Sequence, residues 1–180
     1  MTDATEPRWL NDPQQQAWKG LRAVIFRAFP EMERTLKAYD LLTVQFQILA
    51  TLSDAPNQTL RLSSLASDAN LSQSRLTHRL RSLVEQGEIA ITNDPTDRRA
   101  KRATLSPKGF ERLKRVAPIH AEDVQRLIFD PLTPEQTVAL ADAVTTIADS
   151  LCSHPEYLNP QTPCTATDTT ACTPSELPEH

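Results

Sequence analysis

Glycine is almost missing from this chain: three residues in 180, at positions 20, 87 and 109. A loop that cradles phosphate on its own backbone needs several glycines close together, so Gly-rich nucleotide loops are excluded. Aromatic side chains make up only 5%, and the hydrophobic share of 39% allows a core that is slightly lean. Cysteine occurs three times, as Cys152, Cys164 and Cys172, all within the last thirty positions. Their odd number argues against a disulfide framework, and no His cluster lies near enough for a zinc site. The histidines at 78, 120, 154 and 180 have no ligand spacing, and no Ser–His–Asp or Cys–His arrangement is suggested. Neither an enzyme nor a metal or other cofactor is therefore expected. No stretch approaches the roughly 18 apolar residues of a membrane helix, and MTDATEPRWL lacks the apolar run of a signal peptide. The expectation is a cytoplasmic protein without membrane contact.

Charge is not scarce but unevenly placed. Between Arg61 and Arg115, 12 Lys and Arg stand against 6 Asp and Glu, a surplus of +6. The whole chain carries −4, so the remainder carries −10. A basic middle inside an acidic chain keeps one anion-binding face without making the whole protein adhesive.

The apolar spacing divides the chain into elements. From Asp12 to about Tyr39, Trp18, Leu21, Val24 or Ile25, Phe29, Met32 and Leu36 recur at helical intervals. Pro30 interrupts that pattern and predicts a kink or two abutting helices. Thr43 reads as the N-cap of a helix to about Leu52, with Phe46, Leu49 and Leu52 on one face. SDAPNQ is a loop, and Thr59 to Arg61 a very short extended piece. Ser63 then caps a helix carrying Leu65 and Ala66 inward, and Ser72 caps LSQSRLTHRLRSLVEQG, which stops at Gly87. Two short helices separated by a few residues make a helix-turn-helix. IAITN and KRATL flank DPTDRRA as a hairpin. Ser106 and Pro107 open a helix to about Phe129 that Pro118 bends or divides. Thr133, Pro134 and Gln136 form a capping box for a last helix to about Leu151.

The expected fold is mainly α, an α+β winged helix-turn-helix flanked by N- and C-terminal dimerisation helices. Residues 1–11 are expected to be a flexible N-terminus and 12–40 the first dimerisation helix. Residues 41–105 form the winged DNA-binding region, and 106–152 the C-terminal dimerisation helices. Residues 153–180 hold five Pro and six Thr without a Lys or Arg, and should be a disordered tail.

On the second helix of the motif, Leu76, Leu80 and Leu83 share one face and belong to the core. At 100° per residue the opposite face carries Ser74, His78 and Arg81, with Arg75 and Thr77 at its edges and Gln73 at its start. Hydroxyls, an amide, an imidazole and guanidiniums are the groups a major-groove helix uses on base edges and phosphates, so Ser72 to Arg81 is expected to read the major groove. A solvated helix face normally mixes signs, yet this one has no acid before Glu85. The hairpin that follows concentrates Arg98, Arg99, Lys101 and Arg102 beside Asp97. Directly after a recognition helix, such a hairpin reaches the adjacent minor groove, whose negative potential favours inserted Arg. Asp97 is expected to hold the Arg99 guanidinium extended by ion pairing, lowering the entropy lost on insertion.

LSQSRLTHRLRSLVEQGEI, DPTDRRAKRATLSPKG and the terminal DPLTPEQ together resemble the MarR family of bacterial transcriptional regulators. The likeness spans roughly residues 8–150 and includes the early PRWL and the Leu42-Thr43 pair. Its most specific part is the DxR-type wing followed by L[ST]xxG. The resemblance implies that Arg99 enters the minor groove with Asp97 orienting it. It also implies an obligate homodimer with interleaved terminal helices, and a small, often phenolic or otherwise lipophilic effector held between those helices and the winged helix. Trp18, Phe26, Phe46 and His120 are the candidate lining residues. The apolar stripes of the first helix and of Leu127, Ile128, Leu140, Val144, Ile147 and Leu151 independently call for a two-fold partner. The expected ligand is double-stranded DNA, as a pseudo-palindromic operator with half-sites roughly 10 bp apart.

Two alternatives stay open at this point. One is a redox-responsive regulator using the C-terminal cysteines, although none has an adjacent Lys or Arg to lower its pKa. The other is a winged-helix protein-interaction module that does not bind DNA, although such domains usually lose the basic wing that this chain keeps.

Overall fold

The computed structural model describes residues 7–69 and 71–153. Most of the expected flexible N-terminus and nearly all of the expected disordered tail, with Cys164 and Cys172, lie outside them.

Helix α1 (Asp12–Ala23) opens on a reciprocal cap: Asn11 Oδ1 accepts from Gln14 N–H, and Gln14 Oε1 accepts from Asn11 N–H, both at 3.0 Å. It continues into α2 (Phe29–Lys37) through a π-helical turn at Val24–Ala28. Pro30 has no N–H for the carbonyl four residues back. The widened turn immediately before it sends Phe29 N–H to the Val24 carbonyl instead. The helix therefore neither breaks nor separates into two abutting pieces at Pro30.

The winged helix follows. Helix α3 (Thr43–Asp54) begins with Thr43 already helical, and Leu42 is the capping residue rather than Thr43. Gln45, three residues into the helix, closes it from the other side: its Oε1 accepts from Leu42 N–H at 3.0 Å. Strand β1 (Thr59–Arg61) leads directly into α4 (Leu62–Asp68), so this helix starts before Ser63 and has no side-chain cap. Helix α5 (Gln73–Glu85) is capped by Ser72 as expected and ends at Gly87, whose φ of +71° only glycine adopts without strain. Strands β2 (Ile89–Asn93) and β3 (Lys101–Leu105) pair antiparallel, Ile89 opposite Leu105 and Asn93 opposite Lys101. β1 joins the other edge of β3, giving the order β1-β3-β2.

Helix α6 (Pro107–Val124) is capped by Ser106 and passes through Pro118 uninterrupted; its widening comes later, as a π-helical turn at Gln125–Phe129. Helix α7 (Pro134–Ser153) carries the expected capping box, with Thr133 Oγ1 accepting from Gln136 N–H at 3.2 Å and Gln136 Oε1 from Thr133 N–H at 2.9 Å. Leu36, Leu41, Ile48, Leu49, Leu52, Leu65, Leu76, Leu83 and Val116 are fully buried and knit the winged helix to α2 and α6. Among the described residues, nothing comparable covers α1 or α7. Trp18, Leu21, Ile25, Phe26 and Phe29 are exposed, and so is every residue from Val138 to Leu151.

Candidate nucleic-acid interface

Helix α5 is fixed by its core stripe. Leu76, Leu80 and Leu83 are buried, and Gln45 Nε2 donates to Ser82 Oγ at 2.6 Å, tying α3 to α5. With that face committed, Gln73, Ser74, Arg75, Thr77, His78, Arg79 and Arg81 are exposed. Ser72 Oγ accepts from Arg75 N–H at 3.4 Å and lies 3.2 Å from Ser74 Oγ, so it is occupied at the helix start. Thr77 Oγ1 donates back to the Gln73 carbonyl at 2.8 Å. Arg81 leans toward Glu85, Nε to Oε1 3.8 Å, an exposed pair that competes only weakly with another anion. Among the described residues, the side chains of Arg75, His78 and Arg79 take no hydrogen-bond or ionic partner.

The wing is organised by a residue that sequence reasoning passed over. Asp94 has no exposed side-chain surface. Its Oδ1 accepts from Thr96 N–H (2.9 Å), Thr96 Oγ1 (2.7 Å) and Asp97 N–H (3.2 Å), closing the turn. Its Oδ2 accepts from Arg61 Nε at 2.8 Å, and Arg61 Nη2 reaches Thr96 Oγ1 at 3.0 Å. The Thr96 hydroxyl first, then Arg61, hold this carboxyl far below the usual carboxylate range. The same bond raises the Arg61 guanidinium. Arg102, opposite Arg61 in the sheet, is half-buried with Nη1 3.8 Å from Asp94 Oδ2. Arg102, expected to contact DNA, is thus engaged with the buried Asp94.

Asp97 does not clasp the Arg99 guanidinium as anticipated. Its Oδ1 accepts from the backbone N–H of Arg99 at 2.9 Å, and its carbonyl accepts from Ala100 N–H at 3.0 Å. The carboxylate thus sets the backbone from which Arg99 projects, the usual work of an aspartate in a tight turn. Arg98, Arg99 and Lys101 are exposed, and their side chains have no partner among the described residues.

Helix and wing meet. Gln73 and Thr77 of α5, Asp97, Arg99 and Lys101 of the wing, and Ser63 of α4 line one cleft of about 350 Å³. Residues some twenty positions apart therefore present donors and positive charge on a common side.

The four proposed effector-lining residues are not brought together. Phe46 and His120 are in tilted ring contact, centroids 4.5 Å apart and planes 58° apart. Burial lowers the His120 pKa, partly opposed by Asp123. Trp18 and Phe26 are instead exposed, the latter by 69%. A larger crevice of about 550 Å³ opens between the N-terminal helix and the winged helix. Ile25, Phe29, Pro30, Leu42 and Val44 give it an apolar lining, with Glu33, Lys37 and Arg79 among its polar members. None of the four anticipated residues lines it. Cys152 lies in the last turn of α7. No group of three or more metal-binding side chains occurs among the described residues, and no helix there is long and apolar enough to cross a membrane.

A capped helix-turn-helix, a three-stranded wing and long flanking helices define a winged-helix transcription-factor fold. The chain belongs to the MarR family, a family of transcriptional regulators and not of enzymes. Its sequence model matches residues 42–101, which span α3 to the first residue of β3. The structure is similar to Sco3205, a MarR family transcriptional regulator from Streptomyces coelicolor solved in complex with DNA. That likeness has 32% identity and a TM-score of 0.77, covering 82% of this chain and 92% of that one. AbsC, a MarR family regulator from the same organism, is equally similar at 32% identity and TM-score 0.77, covering 81% and 98%. A Bacillus subtilis protein described as the uncharacterized HTH-type transcriptional regulator YkoM is 28% identical over 130 residues, 70% of this chain and 82% of its own length.

Proposed function

We propose that this protein is a homodimeric, sequence-specific DNA-binding regulator acting in the cytoplasm, a repressor that occupies a pseudo-palindromic operator and is released by a small lipophilic effector. One observation carries the DNA reading: the unpaired Arg99 and Lys101 share a cleft with the exposed start of α5, in a chain acidic elsewhere. Gln73 to Arg81 then read the major groove, while Arg98, Arg99 and Lys101 hold the wing on backbone and minor groove. The DNA in the Sco3205 structure supports the same role here.

The homodimer is supported by α7, a 20-residue helix that exposes Leu140, Val144, Ile147 and Leu151. Such a helix gains its stability in water chiefly from tertiary packing, which a two-fold copy supplies together with a second recognition helix about one DNA turn away. The crevice between the frame and the winged helix, apolar within and open at Arg79 of α5, is the place for an effector that reports to the recognition helix.

Fluorescence-anisotropy titration tests the DNA reading, using DNA from the protein's own promoter region and scrambled DNA from about 50 to 200 mM salt. Tight, sequence-selective binding that weakens steeply with salt is expected. Weak, salt-insensitive binding to both duplexes would instead favour the protein-interaction module.

A further inference from the structure

The C-terminal end of α5 is fastened to the start of α6 by several bonds. Ser106 Oγ donates to the Gly87 carbonyl at 2.7 Å, Ser106 N–H to the Glu88 carbonyl at 2.9 Å, and Lys108 Nζ to the Gln86 carbonyl at 2.6 Å. One residue goes further. Arg112 Nη1 donates to Gln86 Oε1 at 2.8 Å and Glu88 Oε1 at 2.7 Å, while Nη2 donates to the carbonyls of Tyr39 at 3.0 Å and Asp40 at 2.7 Å. Arg112 and Glu88 expose only 11% and 4% of their side chains, so water competes little for these bonds. Among the described residues, no other side chain hydrogen-bonds both the end of the recognition helix and the end of the N-terminal helix. Asp40 sits at φ +55°, a left-handed turn conformation that aspartate tolerates, and its carbonyl is one of the four acceptors.

We propose that Arg112 is a positioning residue for DNA recognition, locking the angle of α5 to the dimerisation frame and so setting which half-site spacing the protein accepts. This rests on the two-fold DNA-reading function proposed above. Three segments converge on one planar guanidinium: α6, the turn after α5, and the turn after α2. The N-terminal helix and α6 belong to the frame, and Gln86 and Glu88 report the pose of α5. Four acceptors in a fixed fork define an angle, which a single apolar contact cannot. Lysine would keep the charge beside Glu88, but its compact ammonium cannot span the four acceptors.

The test uses the full chain, and duplexes carrying one or two copies of the half-site protected in its own promoter region. Centre-to-centre spacing is varied from about 9 to 12 bp. The proteins are wild type, Arg112→Lys, and the double variant Arg112→Gln/Glu88→Gln, which leaves no buried charge unpaired. Wild type is expected to separate its best from its worst spacing by about tenfold or more, and both variants by less than about threefold. Affinity for the single half-site should stay within about twofold of wild type. Variants that keep the wild-type spacing ratio, or lose affinity equally at every spacing and on the single half-site, overturn the role of Arg112. A wild type indifferent to spacing removes the two-fold reading itself, and the inference falls with it.

Discussion

At the scale of single residues, the wing separates two jobs that charge alone would merge. Arg99 is exposed and free, whereas Arg61 and Arg102 are directed at the buried Asp94 carboxylate. Arg99→Ala is therefore expected to lower DNA affinity by about 1–3 kcal/mol with unfolding unchanged, and unchanged affinity at matched salt would remove Arg99 from the interface. Asp94→Asn keeps the size of the side chain but gives up the charge that organises Thr96, Asp97 and Arg61. DNA binding should weaken by about tenfold through a loosened wing, detectable as faster amide exchange at residues 94–100. His120 supplies a pH dependence. Its folded pKa is lowered by burial, so its contribution to stability is fully present above the unfolded value of about 6.5 and is lost as pH falls through the folded value. The melting temperature should drop on acidification from pH 8 to 5, and His120→Phe should flatten that part of the profile. An unchanged slope would show that another group is responsible.

At the scale of elements, the junction between wing and frame is tightly constrained. Gly109 in the first turn of α6 lies so close to the Glu88 carbonyl and Leu105 Cδ1 that an added Cβ would overlap both. Gly109→Ala should cost about 1–3 kcal/mol in urea unfolding, because backbone must move to admit it. The elements themselves were largely legible in the sequence. Ser72, Gly87, Ser106 and the Thr133–Gln136 pair are local signals, and each marks its boundary in the structure. Thr43 and Ser63 misled because a hydroxyl near a helix start is not a cap unless the preceding residue has left the helix; Leu42 and Arg61 occupy the capping positions. Asp94 and Arg112 escaped notice for a different reason. Asp94 reads as an ordinary turn residue until Arg61, 33 positions earlier, is folded against it. Arg112 reads as one more charge on a basic helix until two distant turns bring it four acceptors. Trp18 shows the converse limit: helical periodicity marks an apolar face but does not say which surface covers it.

At the scale of the whole molecule, the apolar faces of α1 and α7 and the basic face of α5 and the wing are parts of one design. In the proposed homodimer, a second copy would cover the first and duplicate the second, so that each half-site would raise the effective concentration of the other. Ile147→Glu places a charge in the α7 stripe, where Ile147 is 55% exposed in the single chain. Sedimentation should shift toward the monomer, and operator affinity should fall by about a hundredfold or more while single half-site binding persists. A variant that stays dimeric would take α7 out of the interface.

The most direct test of the account is a hydroxyl-radical footprint of the full chain on DNA from its own promoter region, with wild type beside Arg99→Ala. Two protected tracts centred about one helical turn apart are predicted, each flanked by minor-groove protection that Arg99→Ala selectively loses. Uniform protection along the duplex, or a single tract insensitive to Arg99→Ala, would contradict it.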